Sequence, residues 1–306
     1  MADLALIKKL REITGCGIAD CNKALANCSD DLDQSVDWLR KKGLSSAAKK
    51  SGRIAAEGVV AIKLNGNKAS VIEVNAETDF VARNDKFQNL VNSLSDKSLD
   101  FNSDIDAFKN SPFNGETSIE EEIKNQIGVI GENINLRRID SLSVNSGIVS
   151  GYIHNVVQGN MGRIAVLVAL ESDADQDKLN DLGKQIAMHI AATKPESLNI
   201  ESVDQGKLDR EIAVLKEQAK SSGKPENIIE KMMQGRIRKY YEEIVLLEQF
   251  FVMDDKVKIK DVIANTAKDL NSKIELTGYK LFVLGEGIEK KEEDFAAEVA
   301  SMTNSN

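Results

Sequence analysis

Two histidines, three cysteines and one carboxylate set beside an aromatic are the residues of this sequence whose types invite a chemical reading. His154 and His189 are the only imidazoles available as a general base or a metal ligand. His189 lies in the apolar run IAMHIAA and reads as a packed core residue. His154 falls in a strand-like stretch with no Ser or Cys motif beside it, so a nucleophilic triad has no support. Cys16, Cys21 and Cys28 crowd into the first tenth of the chain at spacings that fit no zinc site, which predicts small, reduced, packed side chains. No GxxxxGK followed by Ser or Thr occurs, so the chain has no phosphate-cradling loop of its own, and Gly15-Cys16-Gly17, which follows a helical pattern, reads as a turn.

The stretch ETDFVARN, residues 77 to 84, is different. VIEVN before it is β-rich and DKFQNLVNSL after it has helical spacing, so Phe80 falls on a connection, where side chains usually face water. Spacing alone makes Asp79 a solvated cap for the next turn. Beside an exposed Phe it reads instead as the charged tip of a plug: an aromatic for a partner's pocket, a carboxylate for whatever lies next to that pocket.

The elements that must carry this plug are legible in outline. LALIKKL, ADCNKALANC and the segment opened by Asp30, with Leu32, Val36 and Leu39 on one face, predict three short helices, the third ending at Gly43. So small a bundle suits docking better than catalysis. Residues 44–57, rich in Ala, Ser, Gly and Lys, read as a tether with room for some helix. An approximate repeat follows: GVVAIK, a turn, ASVIEVN, a polar loop and a helical pattern, then GYIHNVV, a turn across Gln158 to Met161 that looks long, RIAVLVALE, the acidic loop SDADQD and LNDLGKQIAMHI, with Gly58 matching Gly151. That predicts a duplicated α+β core, 58–140 and 141–203 with 249–285, each sheet covered by helices. Leu208, Ile212, Leu215 and Ala219, then Ile229, Met233, Ile237, Tyr240, Ile244 and Leu247, predict an antiparallel helical hairpin with a coiled-coil seam over 204–248. A C-terminal module, 286–306, holds the amphipathic EDFAAEVA.

Charge sorts the partners. Residues 1 to 53 carry ten Lys and Arg against seven Asp and Glu, and the remainder 30 against 42, for a net −9. The acidic bulk argues against direct nucleic-acid binding and for a protein partner of mixed charge. No apolar run is long enough for a membrane span, and the start MADLALIKKL shows no signal or transit character, so the expectation is a cytoplasmic protein.

Five collinear stretches, TGCGIADCNKAL, EVNAETDFVARND, GENINLRRI, MHIAATKPE and GEGIEKKEEDFAAEV, together resemble the elongation factor Ts family over almost the whole chain. The resemblance implies an N-terminal module similar to a ubiquitin-associated domain, a two-part α+β core, a protruding coiled-coil hairpin and a C-terminal helical module. It implies a non-enzymatic exchange factor for guanine nucleotide on elongation factor Tu. GDP, GTP and magnesium would belong to that partner, and the chain itself would need no cofactor. It places Thr78, Asp79, Phe80, Val81, Ala82, Arg83 and Asn84 at the partner, with Asp79 and Phe80 entering beside its magnesium site. Arg11, Ile18, Ala19 and Lys23 of the N-terminal module, Lys50 in the tether and His154 in the core would be further contacts. A homodimer and a heterotetramer with the partner both stay open. So do two other classes: an adaptor resting on residues 1 to 53 alone, and a hydrolase resting on His154 and nearby carboxylates. Neither accounts for ETDFVARN.

Overall fold

Asp3 caps the first helix, α1 (Leu4–Thr14), by accepting the Ala5 N–H, and Gly15 ends it in the left-handed region. The structure, a computed structural model, describes residues 3–115, 117–220 and 225–289. After α2 (Ile18–Asn27), Asp31 rather than Asp30 caps α3 (Leu32–Lys50), accepting the Gln34 N–H. Leu10, Cys21, Ala24, Leu25 and Leu39 fill the space between the three helices. Burial pushes the Cys21 thiol above its ordinary pKa, as suits an inert packing residue.

Gly43 does not end the third helix. It is where α3 crosses α7 (Ile119–Ile130): a Cβ added at Gly128 would lie 2.8 Å from the Gly43 Cα, so this glycine supplies space for a helix crossing, not a stop. The stretch expected as a tether is therefore half helix. Its Ala47 is buried in the first core, and only residues 51–56 connect α3 to the sheet.

Among the described residues, eight strands follow α3: β1 (Glu57–Asn65), β2 (Lys68–Ala76), β3 (Ile134–Ser143), β4 (Gly147–Gln158), β5 (Met161–Glu171), β6 (Phe250–Phe251), β7 (Asp254–Lys258) and β8 (Glu275–Val283). Between β2 and β3 lie α4 (Asp79–Ala82), α5 (Asp85–Lys97), α6 (Ile105–Asn110) and α7; between β5 and β6 lie α8 (Gln176–Thr193), α9 (Gln205–Lys220) and α10 (Glu226–Ile244); α11 (Ile259–Asp269) precedes β8. This is an α+β fold with an antiparallel sheet. The expected pair of sheets is in fact one ladder, β3-β2-β1-β5-β4 with β8 also on β5, because β1 pairs with the start of β5 at Val60–Gly162 and Ala61–Met161.

Strand alternation shows how that ladder is folded. Ile72, Val74 and Ala76 of β2 face α5 and α7, while Ala69 and Val71 meet Ala165, Leu167, Ala169 and Phe282 of the other half. Val166, Val168 and Leu170 in turn face α8 and α11. The result is four layers, helix, sheet, sheet and helix, with an apolar seam between the two sheet faces. The hairpin, connection, helix order read twice in the sequence is present in β1–β2–α5 and β4–β5–α8. Its glycines align differently from the sequence reading. Gly58 at φ +119° corresponds to Gly147 at φ +127°, since an added Cβ would strike a carbonyl of the facing strand in both, whereas Gly151 is kept small by Ile62 and Leu64 packing over it. The β4–β5 turn, expected to be long, is Gly159-Asn160 alone.

One charged cluster interrupts the apolar seam. Glu73 is fully buried on β2, and a bulge in β2–β3 pairing at this point aims two successive residues, Arg137 and Arg138, at it. The Glu73 carboxylate also accepts from Asn75 Nδ2 and the Gly285 N–H, while Arg137 donates to the Glu286 carbonyl and Arg138 to the Val283 carbonyl. Every lone pair the carboxylate offers therefore has a donor, as a charge in this position requires.

Helices α9 and α10 pack against one another, with Arg236 bonded to Gln218. Ile212, Leu215, Ile229, Met233, Ile237, Tyr240 and Ile244 are each half-buried, and Leu208 is buried. The side chain of Ala219, and residues 290–306 with the EDFAAEVA pattern, lie outside the described residues. No described helix is long and apolar enough to cross a membrane.

Candidate functional site

Phe80 is 80% exposed, and the structure explains how an aromatic is held in that position. ETDFVARN is not a loose loop: Asp79–Ala82 form one helical turn, closed by Arg83 N–H to Phe80 O at 3.2 Å and Asn84 N–H to Val81 O at 2.9 Å. Val81 and Ala82 are buried in the first core, so the turn is anchored by the two residues that follow Phe80. Asn84 then caps α5 by accepting the Lys86 N–H, and Gln88 Nε2 donates to the Ala82 carbonyl at 3.0 Å. Asp79 is exposed and lies 3.8 Å from Arg83, a weak surface pair that leaves its carboxylate available.

A second loop grips the start of this turn. Glu132 accepts both the Thr78 N–H at 3.0 Å and the Thr78 hydroxyl at 2.8 Å. In return Glu77 accepts the Asn133 N–H at 2.6 Å, and Asn133 Nδ2 donates to the Arg53 carbonyl at 2.8 Å. Arg53 closes the ring with an ion pair to Glu77 at 3.4 Å. Thr78 is thus drawn away from capping its own helix and makes no cap bond there. Glu77, Glu132, Asn133 and Arg53 were missed as site residues in the sequence. The available signal was the Gly-Glu-Asn before INLRRI, a turn with two polar groups ahead of a strand.

The other expected contacts fall into two groups. Asp79, Ala82 and Arg83 share a cleft of about 290 Å³ with Asn155, Val156 and Val157 at the end of β4 and with the Glu57–Arg163 ion pair. His154 adjoins that cleft in sequence; its ring is exposed, with Nδ1 3.0 Å from the Tyr152 hydroxyl, and Val156 beside it is 60% exposed. Arg11, Ile18, Ala19 and Lys23 lie apart from the cleft on the N-terminal helices, all exposed, with Ile18 at 58%. The two groups are mechanically joined: Lys86, two residues past the plug, donates to the Gly15 carbonyl in the α1–α2 turn at 2.6 Å. Lys50 ends α3 beside Gly131, next to Glu132 of the clamp.

His189 is fully buried, its Nε2 2.9 Å from Gln249 Oε1 and its Nδ1 accepting the Val252 N–H, and burial lowers its pKa. No His, Cys, Asp and Glu grouping among the described residues could hold a metal ion. What the site offers is a displayed aromatic and an exposed, weakly paired carboxylate on a pinned turn, flanked by Val156, Val157 and the Glu57–Arg163 ion pair.

Comparison with known proteins gives a consistent picture. The family model described as "Elongation factor TS" matches residues 77–286. The chain is 54% identical to a protein named elongation factor Ts from Rhodospirillum centenum over 97% of each chain, and 53% identical to the one from Rhodospirillum rubrum over the same shares. The protein of that name from Paramagnetospirillum magneticum is 51% identical, over 97% of this chain and 96% of its own.

Proposed function

The chain belongs to the elongation factor Ts family, and from that premise we propose that it is a guanine-nucleotide exchange factor, not an enzyme, that docks on elongation factor Tu carrying GDP and hastens GDP release. The observation that carries the reading is Phe80, exposed on a helical turn whose neighbours Val81 and Ala82 are core residues. An apolar ring held rigidly in water is poised for a partner's pocket, because little ordering remains to oppose its burial there.

Asp79 would then stand beside the partner's magnesium and phosphates. A carboxylate in that position repels phosphate and competes for the metal's coordination, while the inserted ring displaces the packed elements that hold both. Nucleotide leaves faster, and by reciprocity bound nucleotide weakens the factor's grip by the same ratio. A thousandfold faster release needs about 4 kcal/mol. Burying one Phe supplies roughly 1.5–3 kcal/mol, so the remaining contacts must hold the strained complex together. Arg11, Ile18, Ala19 and Lys23, with Lys50 and the His154 strand end, are the surfaces assigned to that task.

In this reading α1–α3 form a docking module of the ubiquitin-associated type, and α9 with α10 a coiled-coil hairpin, supported by the packing of the two helices and their half-buried seam residues. The factor works in the cytoplasm with a partner that brings the nucleotide and magnesium. The test is stopped-flow release of a fluorescent GDP analogue from a bacterial elongation factor Tu, with the full chain and with Phe80→Ala. Acceleration by the full chain that falls about thirtyfold in the variant, the equivalent of about 2 kcal/mol for an aromatic anchor, is the expected result. No acceleration by the full chain would refute the reading.

A further inference from the structure

We propose that Glu132 is a positioning residue for exchange: by holding the Thr78 backbone N–H and hydroxyl it fixes the turn that displays Asp79 and Phe80, without itself meeting the partner's nucleotide site. The inference rests on the exchange-factor reading and adds a residue to it.

The case begins with the helical turn itself. Four residues cannot sustain a helix, because nucleation fixes several dihedrals for each hydrogen bond gained. This one also lacks a side-chain N-cap, since Thr78, at the N-cap position, spends its hydroxyl on Glu132. Burial of Val81 and Ala82 holds the C-terminal side of the turn. The N-terminal side, where Asp79 and Phe80 project, is held by the two bonds from Thr78 to Glu132. Charge-assisted bonds to a carboxylate are the stronger kind, and two of them to one residue fix orientation as well as position.

Glu132 is itself set in place. It follows Gly131, which ends α7 at φ +93° and turns the chain back toward β3. Asn133 after it is buried and bonded to both Glu77 and Arg53. The two loops therefore exchange equivalent bonds: the Glu77 carboxylate takes the Asn133 N–H, and the Glu132 carboxylate takes the Thr78 N–H. One carboxylate faces inward to the connection after α3 and the other outward to the plug. Without Glu132 the Phe80 ring would sample many positions, and its ordering would have to occur on docking, which lowers the rate of productive insertion.

Glu132→Ala and Glu132→Gln separate positioning from contact. Saturating release of a fluorescent GDP analogue from elongation factor Tu should fall about tenfold in Glu132→Ala, while the concentration giving half the maximal rate changes less than threefold. Glu132→Gln, which keeps an acceptor for the Thr78 N–H, should retain at least a third of the rate. Amide hydrogen exchange on the free full-length chain should show Thr78 losing at least tenfold protection in Glu132→Ala, with Val91 in α5 unchanged. Unaltered Thr78 protection, or an unaltered rate in Glu132→Ala, overturns the proposal. Should Glu132→Ala not fold, Thr78→Val, which deletes the hydroxyl bond alone, carries the test with an expected threefold loss of rate, and full activity in it overturns the proposal. If the unaltered chain fails to accelerate release, the exchange reading falls, and Thr78 protection still decides whether Glu132 holds the turn.

Discussion

The two hairpin and helix halves of the core are built alike and finished differently. In the first, residues 77–84 separate β2 from α5 and contain the exposed helical turn; in the second, residues 172–175 separate β5 from α8 and contain no regular element. The second connection bonds within itself and to the loop before β4: Ala174 N–H bonds the Ser172 hydroxyl and Asp175 caps α8, while Ser172 N–H bonds the Ser146 carbonyl and Ser146 Oγ the Asp173 carboxylate. The first is likewise bonded to a neighbouring loop, but it carries Asp79 and Phe80 turned outward on a helical turn. The same scaffold thus closes one connection and arms the other, and what separates them is a few added residues together with the Glu132 loop that restrains them.

The halves differ inside as well. β5 presents apolar residues from Ala165 through Leu170, whereas β2 buries Glu73 between Arg137 and Arg138. The largest effect expected from breaking this contrast is on stability. Glu73→Ala would leave two guanidinium groups without their shared carboxylate, and one of them, Arg138, stacked 4.3 Å from the Phe282 ring. A loss of about 3–5 kcal/mol is expected, read as a shift in the urea midpoint, since removing one partner of a buried ion cluster strands the other. A shift below about 1 kcal/mol would mean that the cluster does not join the sheet faces.

How far these features were legible in the sequence follows from the range of the interactions. The plug was legible because Phe80 breaks a local rule, an aromatic where connections are polar. The three N-terminal helices, α5, α8 and the α9–α10 pair were legible from apolar spacing, whereas α6, α7 and α11 were not read, and Gly43 was misread: a glycine that ends a helix and one that lets two helices touch look identical until Gly128, far along the chain, is placed against it. The joining of two sheets into one ladder depends on the short β1–β5 pairing, which has no local signature. Glu73 within VIEVN was visible as a charge in an apolar strand, yet its partners Arg137 and Arg138 face it together only because of a bulge in the pairing. Glu132 was hidden for the same reason, as its work is done across a contact between distant segments.

A smaller effect sharpens the comparison through pH. The buried polar centre of the second half is neutral: His189 accepts the Val252 N–H at Nδ1, so its proton sits on Nε2 toward Gln249. Burial lowers its pKa below the ordinary 6.5, and the Gln249 bond offsets only part of that. The unfolded chain therefore binds a proton at a pH where the folded chain does not. The stability this gives is complete above the unfolded value and is lost as pH falls through it toward the folded one, by at most about 1.4 kcal/mol per pH unit. Denaturant titrations from pH 8 down to pH 5 should show this slope and His189→Gln should flatten it; an identical slope in the variant would assign the loss to the carboxylates.

The smallest effect compares the two connections directly, residue for residue. On the proposed exchange mechanism, Asp79→Ala should slow exchange about fivefold, near 1 kcal/mol, less than Phe80→Ala because a carboxylate acting through repulsion and competition would contribute little buried area. It should leave stability within about 0.5 kcal/mol, since its pairing with Arg83 is long and exposed. Asp173→Ala should do the reverse. It removes the nearer acceptor of the Ser146 hydroxyl, at 2.6 Å against 3.3 Å for the Ser172 carbonyl, costing about 1 kcal/mol of stability, and should leave GDP release unchanged because the second connection carries no aromatic to insert. Equal effects of the two variants on exchange would mean that net acidity, not the placement of one carboxylate on a restrained turn, drives nucleotide from the partner.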